Sequence, residues 1–596
     1  MSYVAPIKEM LFVLKELAGI DEIARLPGFE DADADTARAV LVESAKFCGE
    51  VLAPLNAEGD KYPSVFIDGQ VRSSPGFKEA FREFAEGGWQ SVQHPTGYDG
   101  QDLPKSIGTA CAEMLHASNM AFALCPMLTD GAIEALLVAG TDQQKKIYLP
   151  KLIAGEWTGT MNLTEPQAGS DLALIRTRAD PNDDGTYRIF GTKIFITWGE
   201  HDMADNIVHL VLARTPDAPE GVKGISLFIV PKYHVNADGS KGARNDVQCV
   251  SIEHKLGIKA SPTAVLQFGD RGGAIGELVG EMNRGLQYMF IMMNAARFAV
   301  GLQGVAIADR AYQLAVSYAR ERVQSRPVDG TASEAIAIIH HPDVRRMLGT
   351  MRALTEGARA LAYVTAAHCD MAQRHPESVA RLHHQAIYEF LVPIVKGWST
   401  ELSIDVASLG VQVHGGMGYI EETGAAQHYR DARILTIYEG TTAIQANDLV
   451  GRKTARDGGL VAKKLIQEIA LTVEALGSQD GVAFDLMRRH LAQGQRSLET
   501  VVNHVLANVQ EDPNGVFAGS VPYLKLAGIV LCGWQMARAL LAAAGKRNED
   551  PRFYSAKIAT AQFFAQHVLP QAVALEAAIT STKGDEGMLV LDEAQF

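Results

Sequence analysis

The sequence predicts a mainly helical α+β protein with a β domain held between helical blocks. Three observations predict it. Helical periodicity runs from Ala5 to about Glu156, a strand-and-turn texture follows from Trp157 to about Asp270, and helical spacing returns at Leu286 and continues almost to the end. At 596 residues the chain exceeds a single core and suggests three or four domains. The changes of texture place them at 1–156, 157–280, 281–455 and 456–596.

In the first block, Thr36–Leu52, Gly76–Gly88 and Ser106–Asn119 carry apolar residues at helical spacing, with loops at Pro63-Ser64 and from His94 to Gly100. Ahead of them Ile7, Met10, Leu11, Leu14 and Leu17 form one stripe, while Lys8, Glu9, Lys15 and Glu16 fall on other faces. That pattern predicts an amphipathic surface helix. In the second block Tyr187–Phe190, Lys193–Thr197, Ile207–Ala213, Ile225–Val230 and Ala264–Phe268 are rich in β-branched and aromatic residues and alternate with Gly, Asp and Pro clusters. The third block reads as helices over Leu286–Glu321, Pro342–Cys369, Pro376–Asp405 and Thr442–Lys453. The fourth reads as Gly459–Gly477, Val482–Val509, Tyr523–Ala544 and Arg552–Ala578, broken at Asp512-Pro513-Asn514-Gly515. A β domain between bundles sets ligand sites at domain interfaces.

A formal charge of −15 weighs against nucleic acid as a partner, because phosphate contacts need clustered Lys and Arg. From Arg456 onward 13 basic residues face 15 acidic ones, so that end hides no basic module. The six cysteines (Cys48, Cys111, Cys125, Cys249, Cys369 and Cys532) are scattered without a Cys-x-x-Cys pair, which reads as free thiols in a reducing, cytoplasmic setting. The His340-His341 and His383-His384 pairs lack metal-ligand spacing, so no metal site is expected. The apolar run Leu526–Gly545 is interrupted by Gln535 and Arg538 and reads as a buried helix, so no integral membrane segment is expected. Neither a Gly-x-Gly-x-x-Gly after a strand, a Walker A loop nor a Gly-x-Ser-x-Gly elbow is present.

Glu439 is the most informative residue. It follows Ile437 and Tyr438 and precedes Gly440, which ends or bends a helix because it reaches positive φ without strain. A carboxylate at an element end beside apolar surface loses water, gains a raised pKa and becomes a useful base. Three other segments accompany it in order. They are Met161–Asp171 (MNLTEPQAGSD), Gly191–Trp198 (GTKIFITW) and Gln412–Tyr419 (QVHGGMGY).

These four segments resemble the FAD-dependent acyl-CoA dehydrogenases over roughly Ala37 to Lys453. The longer N-terminus and appended helical block are similar to the long members, including the 3-methylmercaptopropionyl-CoA dehydrogenase group. The resemblance implies an N-terminal helical domain, a middle β-barrel or sandwich, a C-terminal four-helix bundle and an added helical domain. It implies FAD held by Met161, Leu163, Thr164, Ser170, Phe195, Thr197, Arg322, Gln412, Gly416 and Thr441. Ser170, Arg297, Tyr438 and Gly440 would meet the substrate, and Glu439 would be the catalytic base. The chemistry of the residue types agrees. Thr164 and Thr197 offer hydroxyls to a flavin edge and Phe195 an aromatic surface. The Ala168-Gly169-Ser170 turn and the Gly415-Gly416 pair let backbone come close to a ligand. Arg322, Gln412 and Gly416 would reach the pyrophosphate half of FAD in a neighbouring subunit, implying a homo-oligomer, with a dimer favoured.

The implied reaction is α,β-dehydrogenation of an acyl-CoA thioester to a trans-2-enoyl-CoA, with electrons passed to an electron-transfer flavoprotein. Two alternatives share the fold: an acyl-CoA oxidase using oxygen, and a DNA-associated flavoprotein branch that the acidic balance disfavours. Four positions depart from the family pattern. Phe195 stands where Trp is frequent, Asn294 where Asp is common, Ser325 where an aromatic often packs, and Ala443 where Gln often sits.

Overall fold

The computed structural model describes residues 3–236, 238–582 and 591–595. Helices from Ile7 to Ile153 lead into an eight-stranded sheet, and long helices follow from Gly285 onward. The sheet runs Val247–Ile252, Thr263–Phe268, Tyr187–Thr197, Ala274–Val279, Ser226–Pro231, Asn206–Ala213, Trp157–Asn162, with Arg178–Pro181 also paired to Tyr187–Thr197. Its pairs are antiparallel except Trp157–Asn162 with Asn206–Ala213, which run parallel with Met161 opposite Leu210.

Strands Asn206–Ala213 and Ser226–Pro231 are buried along their whole length. Successive side chains of a strand point to opposite faces. Val208, Leu210, Leu212, Leu227 and Ile229 accordingly join the core shared with the helices, and Val211, Ala213, Phe228 and Val230 join a second core inside the β domain. Two buried faces explain why these strands read as continuous apolar runs and not as alternation. Helix Met120–Ala139 lies directly on Trp157–Asn162: a Cβ at Gly159 would stand 2.5 Å from the Ala132 Cβ, so only glycine permits that approach.

Three long helices, Gly285–Glu321, Pro342–Arg374 and Ser378–His414, pack together. The first and third cross closely. Cβ atoms at Gly301 and Gly304 would press on the backbone of Val395 and Ser399 at 2.8 and 2.3 Å. Helix Ser520–Gly545 packs on this bundle and is itself wrapped by Val482–Asn508, Pro551–His567 and Gln571–Thr580. Helices Met120–Ala139, Gly285–Glu321 and Ser520–Gly545 are long and apolar enough to cross a membrane, yet 78%, 67% and 83% of their most apolar windows are buried against protein. Their apolarity is largely consumed by packing.

Three elements differ from the sequence expectation. The N-terminal stripe is no surface helix. Met10, Val13, Leu14 and Leu17 are buried, and Glu9 is drawn inside because Lys557 waits there at 2.6 Å, with Phe12 edge-on to Phe553 and Tyr554. The segment thus fills the seam between the bundle and the appended helices. Expected helix Arg552–Ala578 is two helices, Pro551–His567 and Gln571–Thr580, because Pro570 has no N–H for the Gln566 carbonyl and its ring clashes there. Near Pro63-Ser64, strands Val65–Ile67 and Gln70–Arg72 form a hairpin over Asp68 and Gly69, both at positive φ, the Asp-Gly pairing that such turns demand.

Lys557 is fully buried and bonds Glu9 and Glu356 at 2.6 and 2.7 Å, while Arg352 also holds Glu356 at 2.6 Å. Removing one member of a buried ionic cluster leaves charge uncompensated, at a cost of about 3–5 kcal/mol. Lys557→Met is therefore expected to lower unfolding stability by that order. Urea titration would check it, and a loss below about 1 kcal/mol would show that the cluster tolerates the gap.

Candidate active site

Glu439 lies in a turn between the 3₁₀ segment Arg433–Thr436 and helix Thr442–Asp448. Thr441 is the N-cap of that helix and accepts from the Ile444 N–H at 3.3 Å. Glu439 has φ +55° and Gly440 φ +86°. Left-handed backbone costs a non-glycine residue roughly 1–2 kcal/mol, and such strain persists only where surroundings over-determine it. Three helices supply the hold. The Tyr438 hydroxyl donates to Gln303 Oε1 at 2.5 Å, Lys396 Nζ donates to the Gly440 carbonyl at 2.6 Å, and Gln445 Nε2 donates to the carbonyls of Glu439 and Gly440 at 3.2 Å each. Gln303, Lys396 and Gln445 are all fully buried. The positive φ favours glycine at residue 440, and a Cβ there would press on Gln445 Nε2 at 2.8 Å and disturb its bonds to the turn.

The Glu439 side chain is partly open to the surface of its cleft. Desolvation by the surrounding protein raises its pKa above the ordinary 4.5, and the charges of Arg297 and Lys396 pull it part of the way back. Arg297 is buried, with Nη1 at 3.5 Å from Asp448 Oδ2 and from Asn294 Oδ1. Among the described hydrogen bonds the Glu439 N–H donates to nothing, so the turn leaves it free for a ligand. Behind Tyr438, Gln303 also touches Met127 Sδ at 3.4 Å and His116 Nδ1 at 3.5 Å. Both line a cavity of about 100 Å³ with Phe84, Trp89, Cys111 and Leu302. Burial pushes the His116 pKa down to about 3 and keeps the ring neutral.

The β domain supplies a second group. Thr263 pairs with Thr197 and Ala264 with Ile196, but Leu266 pairs with Lys193. The extra residue is a bulge, and Phe195 within it takes φ +59° and turns its ring outward, 58% exposed. The Ile194 N–H donates to the Thr164 carbonyl at 2.9 Å, which sets Thr164 beside Phe195. Met161 is buried beneath, and Leu163 and Thr164 are half-buried. A buried ion pair locks this loop to the strand: Lys193 Nζ reaches Glu165 Oε1 at 2.8 Å and the Leu163 carbonyl at 3.0 Å. Glu165 also accepts from the Thr177 hydroxyl and from the N–H groups of Arg176 and Thr177. Burial would raise its pKa, but the Lys193 charge and these bonds hold it down at about 2. Lys193 is pushed down by burial to about 8, so both partners are charged at neutral pH.

A third group stands apart. Arg322 caps the end of helix Gly285–Glu321, and Gln412 lies in the last turn of Ser378–His414 before Gly416. Tyr318 stacks on His414 with ring centres 4.4 Å apart, so the two helix ends meet. Arg322, Gln412 and Gly416 are all exposed. Ser170 is likewise exposed, in the loop after the buried Ala168, and no described hydrogen bond or ion pair joins it to the Glu439 turn. Lys396, Gln303, Gln445 and the Glu165–Lys193 pair are site features that the motif reading passed over. Glu165 and Lys193 stood inside quoted segments, and a lone lysine in the apolar run Leu391–Trp398 was the available signal for Lys396.

Family models match in four consecutive stretches. They are the acyl-CoA dehydrogenase N-terminal domain at 35–156, its middle domain at 160–271, its C-terminal domain at 283–453, and the acetyl-CoA dehydrogenase C-terminal-like model at 465–589. The chain is 54% identical to a 3-methylmercaptopropionyl-CoA dehydrogenase of Ruegeria pomeroyi, over 98% of both chains. It is 35% identical to the broad-specificity linear acyl-CoA dehydrogenase FadE5 of Mycobacterium tuberculosis, over the full length of both. The crystal structure of an acyl-CoA dehydrogenase complexed with FAD from Bacillus anthracis shares the fold, with a TM-score of 0.73 and 23% identity over 95% of this chain and 91% of that one.

Lys193→Met would strand the Glu165 carboxylate, again at about 3–5 kcal/mol. The expected signature is local: amide hydrogen exchange rises over 163–168 before the rest of the sheet responds. Unchanged protection there would show that the loop is held without the ion pair.

Proposed function

The chain belongs to the acyl-CoA dehydrogenase family, and on that premise we propose how its own residues perform α,β-dehydrogenation of an acyl-CoA thioester. The observation that carries the reading is the Glu439 turn: a desolvated carboxylate on strained backbone with a free N–H beside it. FAD fits the residues present. Phe195 offers an uncovered ring, and the hydroxyls of Thr164 and Thr197 take part in no hydrogen bond among the described residues. Met161, Leu163 and Thr164 would line one side of it, Ser170 would stand between it and the substrate, and Thr441 would touch it from the catalytic turn. When bound, FAD supplies the two-electron acceptor for the β-hydrogen.

Glu439 takes the α-proton of the thioester. Its raised pKa makes the carboxylate a stronger base than a solvated glutamate. Negative charge then grows on the thioester oxygen, and the free Glu439 N–H is the protein's donor for it; a preorganised donor of that kind contributes on the order of 10²–10³ in rate. Tyr438 and Gly440 shape the floor on which the reacting carbons rest. Arg297 tempers the carboxylate's pKa from behind.

Arg322 stands 25 residues beyond Arg297 on one helix, about 37 Å along its axis at 1.5 Å per residue. That span supports the reading in which Arg322, Gln412 and Gly416 serve the site of another copy, in a homo-oligomer proposed as a dimer. The substrate we favour is a short thioether-bearing acyl-CoA, in keeping with the 54% identical relative and with the soft side chains Met127 and Cys111 at the nearby cavity. An electron-transfer flavoprotein is the proposed acceptor. Six buried free thiols suit a reducing cytoplasm.

Glu439→Gln is expected to keep its flavin and lose dehydrogenation by at least roughly 10²-fold. Anaerobic flavin bleaching with a panel of short, long, aromatic and methylthio acyl-CoAs reads both the base and the chain preference, and retained bleaching in the variant would place the base elsewhere. In the wild type, kcat/KM is expected to rise with pH through a limb above 4.5, since burial lifts the Glu439 carboxyl and only its ionised form accepts the proton. Mass in solution tests the dimer, and a monomer with full activity would remove it.

A further inference from the structure

Lys396 sits in the interior of helix Ser378–His414, three residues after Pro393, with no exposed surface. Burial of a lysine is costly unless its charge has a purpose and a partner. Its Nζ donates to the carbonyl of Gly440, the residue directly after Glu439, at 2.6 Å. The close crossing at Gly301 and Gly304 sets this stretch of helix against Gly285–Glu321, the helix that carries Arg297 and Gln303. Both cations act by charge on the Glu439 carboxylate. Arg297 is bound to Asp448 in addition, whereas Lys396 has a neutral carbonyl as its sole described hydrogen-bond acceptor.

We propose that Lys396 is a positioning residue of the reaction, which fixes the left-handed Glu439-Gly440 turn by its hydrogen bond and keeps the base ionised by its charge. The proposal rests on Glu439 being the base. The charged groups around Lys396 are few. Glu439 faces it from the turn, Arg297 from Gly285–Glu321 and Glu401 from its own helix, and Asp448 and Arg452 stand behind Arg297. Helix Ser520–Gly545 presents the apolar Leu524 at Gly397, and its Lys525 acts on Asp405 further along. Burial lowers the Lys396 pKa to about 8, with Glu439 opposing the fall, so the ammonium form prevails at neutral pH. Loss of that charge lets the Glu439 pKa climb, because an adjacent cation favours the ionised carboxylate. The base would then be protonated at a pH where the wild type is active.

Two variants separate the two duties. Lys396→Gln retains a donor without charge, and Lys396→Met retains neither. In both, the ascending limb of the kcat/KM profile is expected to move to higher pH. Lys396→Met is expected in addition to lose about 10-fold in kcat on the plateau, with KM for the acyl-CoA and flavin content within about 2-fold of wild type, as for a group that acts through another. Gln445→Leu, which removes a neutral donor to the same carbonyls, should lower kcat without moving the limb. Glu439→Gln run alongside distinguishes failures. Normal turnover there removes the base assignment itself, whereas a dead Glu439→Gln with an unmoved limb in both Lys396 variants overturns only the role of Lys396. Loss of flavin or of the fold in both lysine variants would overturn it as well, making the lysine a support of structure.

Discussion

The crossing of helices Gly285–Glu321 and Ser378–His414 at Gly301 and Gly304 is the constraint on which the rest depends. Without side chains at those two positions the backbones nearly touch, and the residues beside the contact are forced into one small volume. Arg297 and Gln303 come from one helix and Lys396 from the other. The Tyr438–Gly440 turn drops into the space they leave and is bonded from both sides. A wider crossing would leave Lys396 short of the Gly440 carbonyl and Gln303 short of Tyr438. The strained backbone at Glu439 would then relax, and the carboxylate would lose its orientation before it lost its chemistry.

The β domain solves a similar problem by other means. Its bulge turns Phe195 outward, and the Glu165–Lys193 pair staples the neighbouring loop to the same strand. Both halves of the site combine a buried lysine with non-glycine backbone at positive φ. In each case a charge-assisted bond offsets a backbone that would otherwise open. The difference lies in the partner. Lys193 meets a saturated carboxylate besides the Leu163 carbonyl and the pair is closed, while Lys396 meets a carbonyl alone and its charge acts on Glu439.

Much of this was legible in the chain. Periodicity marked the long helices to within a few residues in most cases, and four ordered segments pointed to the family. Strands buried on both faces were found from β-branched content, since alternation is absent in Asn206–Ala213. What escaped had physical causes. Three-residue strands such as Val65–Ile67 carry too little pattern, although Asp68-Gly69 spelled their turn. Glu9 read as a surface acid because its partner lies at Lys557, and no local rule reports a contact of that span. Lys396 drew no reading from the sequence, because its contact is with a turn 44 positions away. The division of the candidate cofactor residues between the Glu439 turn and the Arg322–Gln412 end becomes a separation of tens of ångströms only once the helix is drawn straight.

The seam formed by the N-terminal segment has a consequence for biosynthesis. Glu9 and Lys557 stand 548 residues apart, and a ribosome adding about 5–20 residues per second needs roughly half a minute to two minutes to travel between them. Throughout that interval the apolar stripe of Met10 and Leu14 has helix Ala34–Phe47 beside its segment but not the trailing helices, and Phe12 lacks Phe553 and Tyr554. The nascent chain must therefore mature with its leading end waiting for its trailing helices, and any delay in translation prolongs the window in which that stripe is a target for holdase chaperones.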